Sequence, residues 1–325
     1  MEPRHWVFAL HGGAGAMQPR GTASALEAAV RASLTSALRT GADILDQGGS
    51  ALDAVEKATI LMEDDPLFNA GRGAVFTGRG EIELDASIMD GASLRAGAVA
   101  GVTHTRHPIA LARAVMEKSP HVMLIGPGAD AFARDHGLEQ VDPSFFFTER
   151  QWQELARQLG MEGKPVPPRP PGAPPTTVEV HPDAKVQEFG TVGAVALDRN
   201  GNVAAATSTG GVRGKLPGRV GDSAIIGAGT YASNDSCAVS GTGTGELFMR
   251  LTIAHEVAAL VQLGNRSLQG AVNEVIQNRL AALNGDGGII AVAPDGQCGW
   301  SFNTPGMYRA RVAEGGEPEV AIFPG

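Results

Sequence analysis

Cysteines, clustered cations and long apolar runs are what this chain has least of, and each shortage excludes a class of function. Two cysteines, Cys237 and Cys298, cannot build a disulfide framework, and they read as reduced, buried small residues. Lys and Arg number 26 against 35 Asp and Glu, the formal net charge is −9, and the cations do not cluster. A phosphate-binding surface needs such a cluster, so nucleic acid is not an expected partner. No apolar stretch approaches the ~18 residues of a membrane span. The start, Met1-Glu2-Pro3-Arg4-His5, does not read as a signal peptide, because the apolar run from Trp6 to Leu10 is too short for one. The expectation is a cytoplasmic protein.

Familiar chemical motifs are missing too. The eight histidines include no H-E-x-x-H pairing, and there is no C-x-x-C, no G-x-S-x-G elbow and no P-loop. His11, His104, His107, His121 and His255 are scattered and read as structural. What the chain has in excess is glycine, 44 of 325 residues, which points to many tight turns or close backbone approaches.

Periodicity gives a mixed order of elements. A short buried strand over 5–10 ends in His11-Gly12-Gly13-Ala14-Gly15. A helix over 22–46 carries Leu26, Val30, Leu34, Leu38 and Leu45, and Ser50 with Asp53 forms a capping box for a second helix through Met62. Strands are expected near 74–77, 81–89 and 96–103, and helices near 108–118, 128–136 and 148–159. Seven prolines fall among the eleven residues Pro165 to Pro175, which excludes a helix or central strand, and 161–188 reads as a flexible linker. Order resumes with a strand over 191–198, an Asn200-Gly201 hairpin turn and a return strand over 203–209. Further strands fit 223–227, 236–241, 288–293, 298–302 and 307–311, with helices over 245–263 and 267–283. Paired helices and hairpin strands indicate an α+β protein, with antiparallel sheets covered by helices.

Three segments can carry chemistry. Gly190-Thr191 stands where linker meets strand. Attack of the Thr191 hydroxyl on the Gly190 carbonyl, then hydrolysis, would leave Thr191 as a new N-terminus. Its α-amine, with a pKa near ~7.7–8.0, suits a general base at neutral pH. Alone, the dipeptide is better read as a strand threonine after a turn glycine; its neighbours change that reading. Thr207-Ser208-Thr209 ends the return strand and brings hydroxyls beside position 191. Arg219 and Asp222 set a cation and an anion three residues apart in a glycine-bounded loop, able to hold an amino acid's carboxylate and ammonium. Gly241-Thr242-Gly243-Thr244-Gly245-Glu246 stands where a dinucleotide fingerprint would sit, but position 246 is Glu where that fingerprint needs Gly. As a glycine-rich turn at a helix start, the segment suits a developing oxyanion instead.

Taken together, the segments HGGAGA (11–16), PLFNAGRGAVFT (66–77), LDASIMDG (84–91), GTVGAVALD (190–198), ATSTGG (206–211), LPGRVGDS (216–223), GAGTYA (227–232) and GTGTGE (241–246) resemble the plant-type asparaginase and isoaspartyl aminopeptidase family of N-terminal-nucleophile hydrolases. The resemblance implies a four-layer αββα sandwich in one domain, cleaved into an α subunit (1–190) and a β subunit (191–325) that pair as an (αβ)₂ dimer. It implies hydrolysis of L-asparagine and β-aspartyl dipeptides with release of aspartate, and no catalytic cofactor. It implies Thr191 as nucleophile, Thr209 as its hydrogen-bonding support, Asn69 as an orienting residue, and Thr242 with the Gly243 N–H as oxyanion hole. Arg219 would take the substrate carboxylate, and Asp222 with the Gly245 carbonyl its ammonium. A structural sodium ion is implied on the backbone carbonyls of Met62, Glu63, Asp65, Phe68, Ala70 and Arg72; the arginine is a departure from the family pattern. A glycosylasparaginase-type hydrolase is the near alternative, which the HGGAG segment opposes. A non-catalytic nucleotide-binding protein using its glycine-rich turns is the alternative from another class.

Overall fold

The computed structural model describes residues 5–15, 25–174 and 190–324. Two sheets organise them. The larger runs in the order β12 (Glu319–Ala321), β11 (Gly306–Ala313), β1 (Val7–Gly15), β5 (Val192–Leu197), β6 (Val203–Thr209), β2 (Leu84–Asp90), β3 (Ala96–Val102), β4 (Met123–Ile125). The smaller runs β10 (Cys298–Phe302), β9 (Gly287–Val292), β8 (Ala238–Gly243), β7 (Thr230–Ala232). Neighbouring strands are antiparallel except β3 and β4, which run parallel.

The side-chain period of two decides how the sheets stack. On β1, Phe8 and Leu10 face one way, into a core shared with Val192, Ala194, Leu34, Leu38 and Val55. Val7 and Ala9 face the other way, meeting Val195, Ala205, Ala238, Ile290 and Val292 between the two sheets. On the outer side of the small sheet, Val239, Ile289 and Ala291 meet Ile253, Val257 and Val272. Helices α1 (Ala25–Asp46), α2 (Ala51–Asp64) and α3 (Pro108–Lys118) pack on the large sheet, and α7 (Ile253–Gln262) and α8 (Leu268–Asn273) on the small one. The helix-spaced residues expected in the first helix bury as one stripe, Val30, Leu34, Leu38 and Leu45, with Leu26 left exposed. Ser50 caps α2, its hydroxyl accepting from the Asp53 N–H at 3.1 Å.

Other expectations need correction. Residues 74–77 are not a strand: they belong to a loop held by the Asn69 side chain, and only Thr77 makes a lone bridge, to Lys215. Residues 223–227 give a 3₁₀ turn, Asp222–Ala224, and a loop. The helix expected over 245–263 is broken into α6 (Gly245–Leu251) and α7 at Thr252, whose φ is 48°. The last expected helix is α8 followed by a π-helical stretch, Glu274–Leu280. The helices expected near 128–136 and 148–159 form as α4 (Gly126–Asp135) and α5 (Glu149–Met161).

Of the expected linker, 161–174 is described and mostly exposed. Arg169 fastens it to α5, donating to Glu149 at 2.7 Å with its guanidinium over the Phe147 ring at 4.9 Å. Residues 175–188 of that linker lie outside the described residues. Cys237 is buried and Cys298 half-buried, and the two are not bridged. Among the described residues no helix is long and apolar enough to cross a membrane.

Candidate active site

The pairing of β5 with β6 sets the first contact. Val192 lies opposite Ser208, so Thr191 meets Thr209, and the Thr191 hydroxyl donates to the Thr209 hydroxyl at 3.0 Å. Thr209 Oγ1 also accepts from the Gly211 N–H at 2.9 Å, which fixes its orientation. Asn69 ties this turn to the loop after α2: its Nδ2 donates to the Gly211 carbonyl at 2.7 Å and its Oδ1 accepts from the Val75 N–H at 2.9 Å. Both ends of the Asn69 amide are thus engaged. It is linked to Thr191 through the turn that carries Thr209.

Gly190 is gripped from two sides. A bulge in β1 at His11/Gly13 brings Gly13, with φ of 109°, against it, so that a Cβ on Gly13 would lie 2.6 Å from Gly190 Cα. On the other side a Cβ on Gly190 would lie 2.6 Å from Thr242 Oγ1. Among the described residues that hydroxyl is buried and has no hydrogen-bond partner. A buried unpaired polar group is costly, and here it faces the bond before Thr191.

Arg219 and Asp222 border the same space. Gly245 opens the space between them, since a Cβ there would lie 2.8 Å from both Arg219 Nη2 and Asp222 Oδ1. Burial pushes the Asp222 carboxyl up to about 7, against the pull of its own N–H and of Arg219, and its Oδ2 is a second buried atom with no partner among the described residues. Arg219 is engaged by a residue outside the expected set: its Nε and Nη2 donate to Glu246 Oε1 at 2.9 and 2.8 Å.

These groups meet at one cavity of about 570 Å³, bordered by Asn69, Gly190, Thr191, Thr209, Arg219, Asp222, Thr242 and Gly243. Gly245 lies just behind its wall. The family model described as asparaginase matches residues 4–322. The chain belongs to this asparaginase family. It is 48% identical over 322 residues to the isoaspartyl peptidase of Escherichia coli (strain K12), covering 98% of this chain and 96% of the relative. It is 40% identical over 308 residues to the isoaspartyl peptidase/L-asparaginase of Xenopus laevis, covering 95% and 92%. To that of Bos taurus it is 42% identical over 287 residues, covering 88% and 87%.

Two features of this candidate site carry no signature in the sequence. Glu246 stands there only as the residue that spoils a dinucleotide fingerprint; no local spacing signals its contact with an arginine 27 positions away. The strand–turn–helix at 241–246 does form, but β8 is flanked by antiparallel strands, so no parallel βαβ unit exists there. His11, read as structural, is buried beneath Thr191. Its Nε2 meets Ser240 Oγ at 3.0 Å, opening a chain of buried hydroxyls through Thr207 (2.7 Å), Thr230 (2.5 Å) and Ser87 (2.8 Å). Burial pushes the His11 imidazole down to about 3, outweighing a contact with the Thr191 backbone, so it is neutral at physiological pH. Of the other histidines, His104 and His107 approach Asp130 and Asp64 at 3.7 and 3.1 Å, and His255 packs edge-on to Tyr231.

Proposed function

We propose that this chain cleaves itself between Gly190 and Thr191 and then hydrolyses β-aspartyl dipeptides and L-asparagine, releasing L-aspartate. The observation that carries the reading is one cavity lined by Thr191, by its hydrogen-bonding partner Thr209 and by the Arg219–Asp222 pair. The relatives named isoaspartyl peptidase support the substrate class.

In self-cleavage Thr191 Oγ1 attacks the Gly190 carbonyl carbon and the Thr191 nitrogen leaves, giving an ester. Water hydrolyses that ester, freeing the Gly190 carboxylate and the Thr191 amine. In turnover the amine takes the proton from Oγ1, which attacks the side-chain carbonyl of the substrate. The Thr242 hydroxyl and Gly243 N–H receive the negative charge on that oxygen. The amine returns the proton to the departing ammonia or amino group, and water releases aspartate from the acyl-enzyme. Arg219 holds the α-carboxylate; Asp222 and the Gly245 carbonyl hold the α-ammonium. An arriving ammonium favours ionised Asp222 and offsets its burial. Thr209 and Asn69 keep Thr191 in place.

The packing of helices and sheets supports a four-layer αββα sandwich, and the cleaved chain would pair as an (αβ)₂ dimer in the cytoplasm. No cofactor takes part in the chemistry. A structural sodium ion suits the loop after α2. There the Glu63 carbonyl turns in toward Gly71, and the Phe68 carbonyl toward Gly73, where a Cβ would lie 2.6 Å from it. The Glu63 oxygen accepts the Arg72 N–H at 2.7 Å and keeps a second lone pair, and the Arg72 side chain lies away over Phe145. Carbonyls of Met62, Glu63, Asp65, Phe68, Ala70 and Arg72 would hold the ion, as hard cations take oxygen ligands. It would brace the loop that carries Asn69.

The test is an assay for aspartate released from a β-aspartyl dipeptide, from L-asparagine and from a glycosylated asparagine. Release from the first two, abolished by Thr191→Ala, is expected. Release from the glycosylated substrate alone, or activity in the alanine variant, would overturn the reading.

A further inference from the structure

Arg219 does not wait alone for a substrate carboxylate. One oxygen of Glu246, in the first turn of α6, accepts from both Nε and Nη2 at 2.9 and 2.8 Å. The two partners differ in exposure: the Arg219 side chain is 15% exposed and that of Glu246 57%. A guanidinium has five N–H groups in a fixed fork, and this clamp occupies one edge. The other end, Nη1, lies beside Gly211 and Gly221, where added Cβ atoms would come within 3.3 and 2.8 Å of it, and both glycines border the cavity. Glu246 borders it as well. The clamp therefore leaves the cavity-facing end of the fork open.

We infer that Glu246 is a specificity-determining residue that makes this site select α-amino acids over simple carboxylates. The inference rests on the proposed role of Arg219. Two effects work together. The clamp orients a long, flexible side chain, so less freedom is lost when a carboxylate docks. It also cancels part of the guanidinium charge. A bare carboxylate then meets a nearly neutral ion pair and gains little. An α-amino acid brings an ammonium as well, which meets the acidic side formed by Asp222 and Glu246. Glu246 is ionised for this purpose: burial raises its pKa, but a backbone hydrogen bond and Arg219 together hold it below the usual carboxylate range.

The experiment is calorimetric binding of L-aspartate and of succinate, which keeps both carboxylates and lacks the ammonium, to purified wild type, Glu246→Gln and Glu246→Asp. Wild type should prefer L-aspartate. In Glu246→Gln the affinity for L-aspartate should fall about 10–100-fold, the range for a lost charge-assisted contact, while succinate holds or improves. In Glu246→Asp, which keeps the charge on a shorter arm, the preference should survive even if both ligands weaken. Equal losses for both ligands in Glu246→Gln, unchanged L-aspartate affinity, a lost preference in Glu246→Asp, or a wild type without preference would each overturn the inference. Hydrolysis is not read here. Binding as expected without any amide hydrolysis would sink the proposed activity and leave this inference standing.

Discussion

Two clusters of buried polar groups lie close together in this molecule, and they are built on opposite rules. Between the sheets, Ser87, Thr207, Thr230 and Ser240 are fully buried, and each hydroxyl is hydrogen-bonded to another member of the chain or to a carbonyl. On the cavity wall, Thr242 Oγ1 and Asp222 Oδ2 are buried among the described residues without a partner. Folding favours the first arrangement and tolerates the second only at a cost of about 1–3 kcal/mol per group. The satisfied cluster fixes the sheets that carry Thr191. Under the proposed function, the unsatisfied one receives the charges of a substrate and of a reacting carbonyl.

Four perturbations test this contrast. The largest effect belongs to the proposed nucleophile: Thr191→Ala should lose at least about 10³-fold in hydrolysis while melting close to wild type. Thr242→Val removes a hydroxyl that supports nothing in the resting fold. It should lower kcat about 10²–10³-fold, and the thermal midpoint should move by less than about 3 °C. A stability loss without a kinetic one would erase the distinction between the clusters.

The third perturbation is pH. Asp222, with its pKa raised to about 7, must ionise to hold an ammonium, so calorimetric affinity for L-aspartate should rise about tenfold per unit as pH climbs toward that value and then level off. Asp222→Asn should bind weakly with a flat profile. Ligand-free stability runs the other way. The folded pKa of Asp222 lies above its ordinary 3.8, so its contribution is complete below about 4 and is lost as pH rises through about 7. The smallest effect on catalysis is expected from the satisfied cluster. Thr207→Val leaves Ser240 and Thr230 short of a partner and should destabilise by about 1–3 kcal/mol in denaturant, with less loss of kcat than Thr242→Val.

Most of the site was legible because its chemistry is concentrated in short segments. Gly190-Thr191 and the Arg219–Asp222 pair each fall within four consecutive residues, and the cavity joins them. The role of His11-Gly12-Gly13 was not legible. Only the fold shows that Gly13 admits Gly190 and that His11 heads a hydroxyl chain whose members come from separate strands. Strands β4, β7 and β12 have three residues each, too few for a period of two to register. The break at Thr252 has no Gly or Pro to announce it. Residues 74–77 look like a strand by composition, but the Asn69 side chain takes the Val75 N–H that a sheet partner would need.

Intact-mass measurement on the freshly purified wild-type protein decides whether the chain cuts itself. Two polypeptides are expected, one ending at Gly190 and the other beginning at Thr191, both present in the fraction that hydrolyses the substrate. A single uncut chain carrying that activity would contradict that expectation.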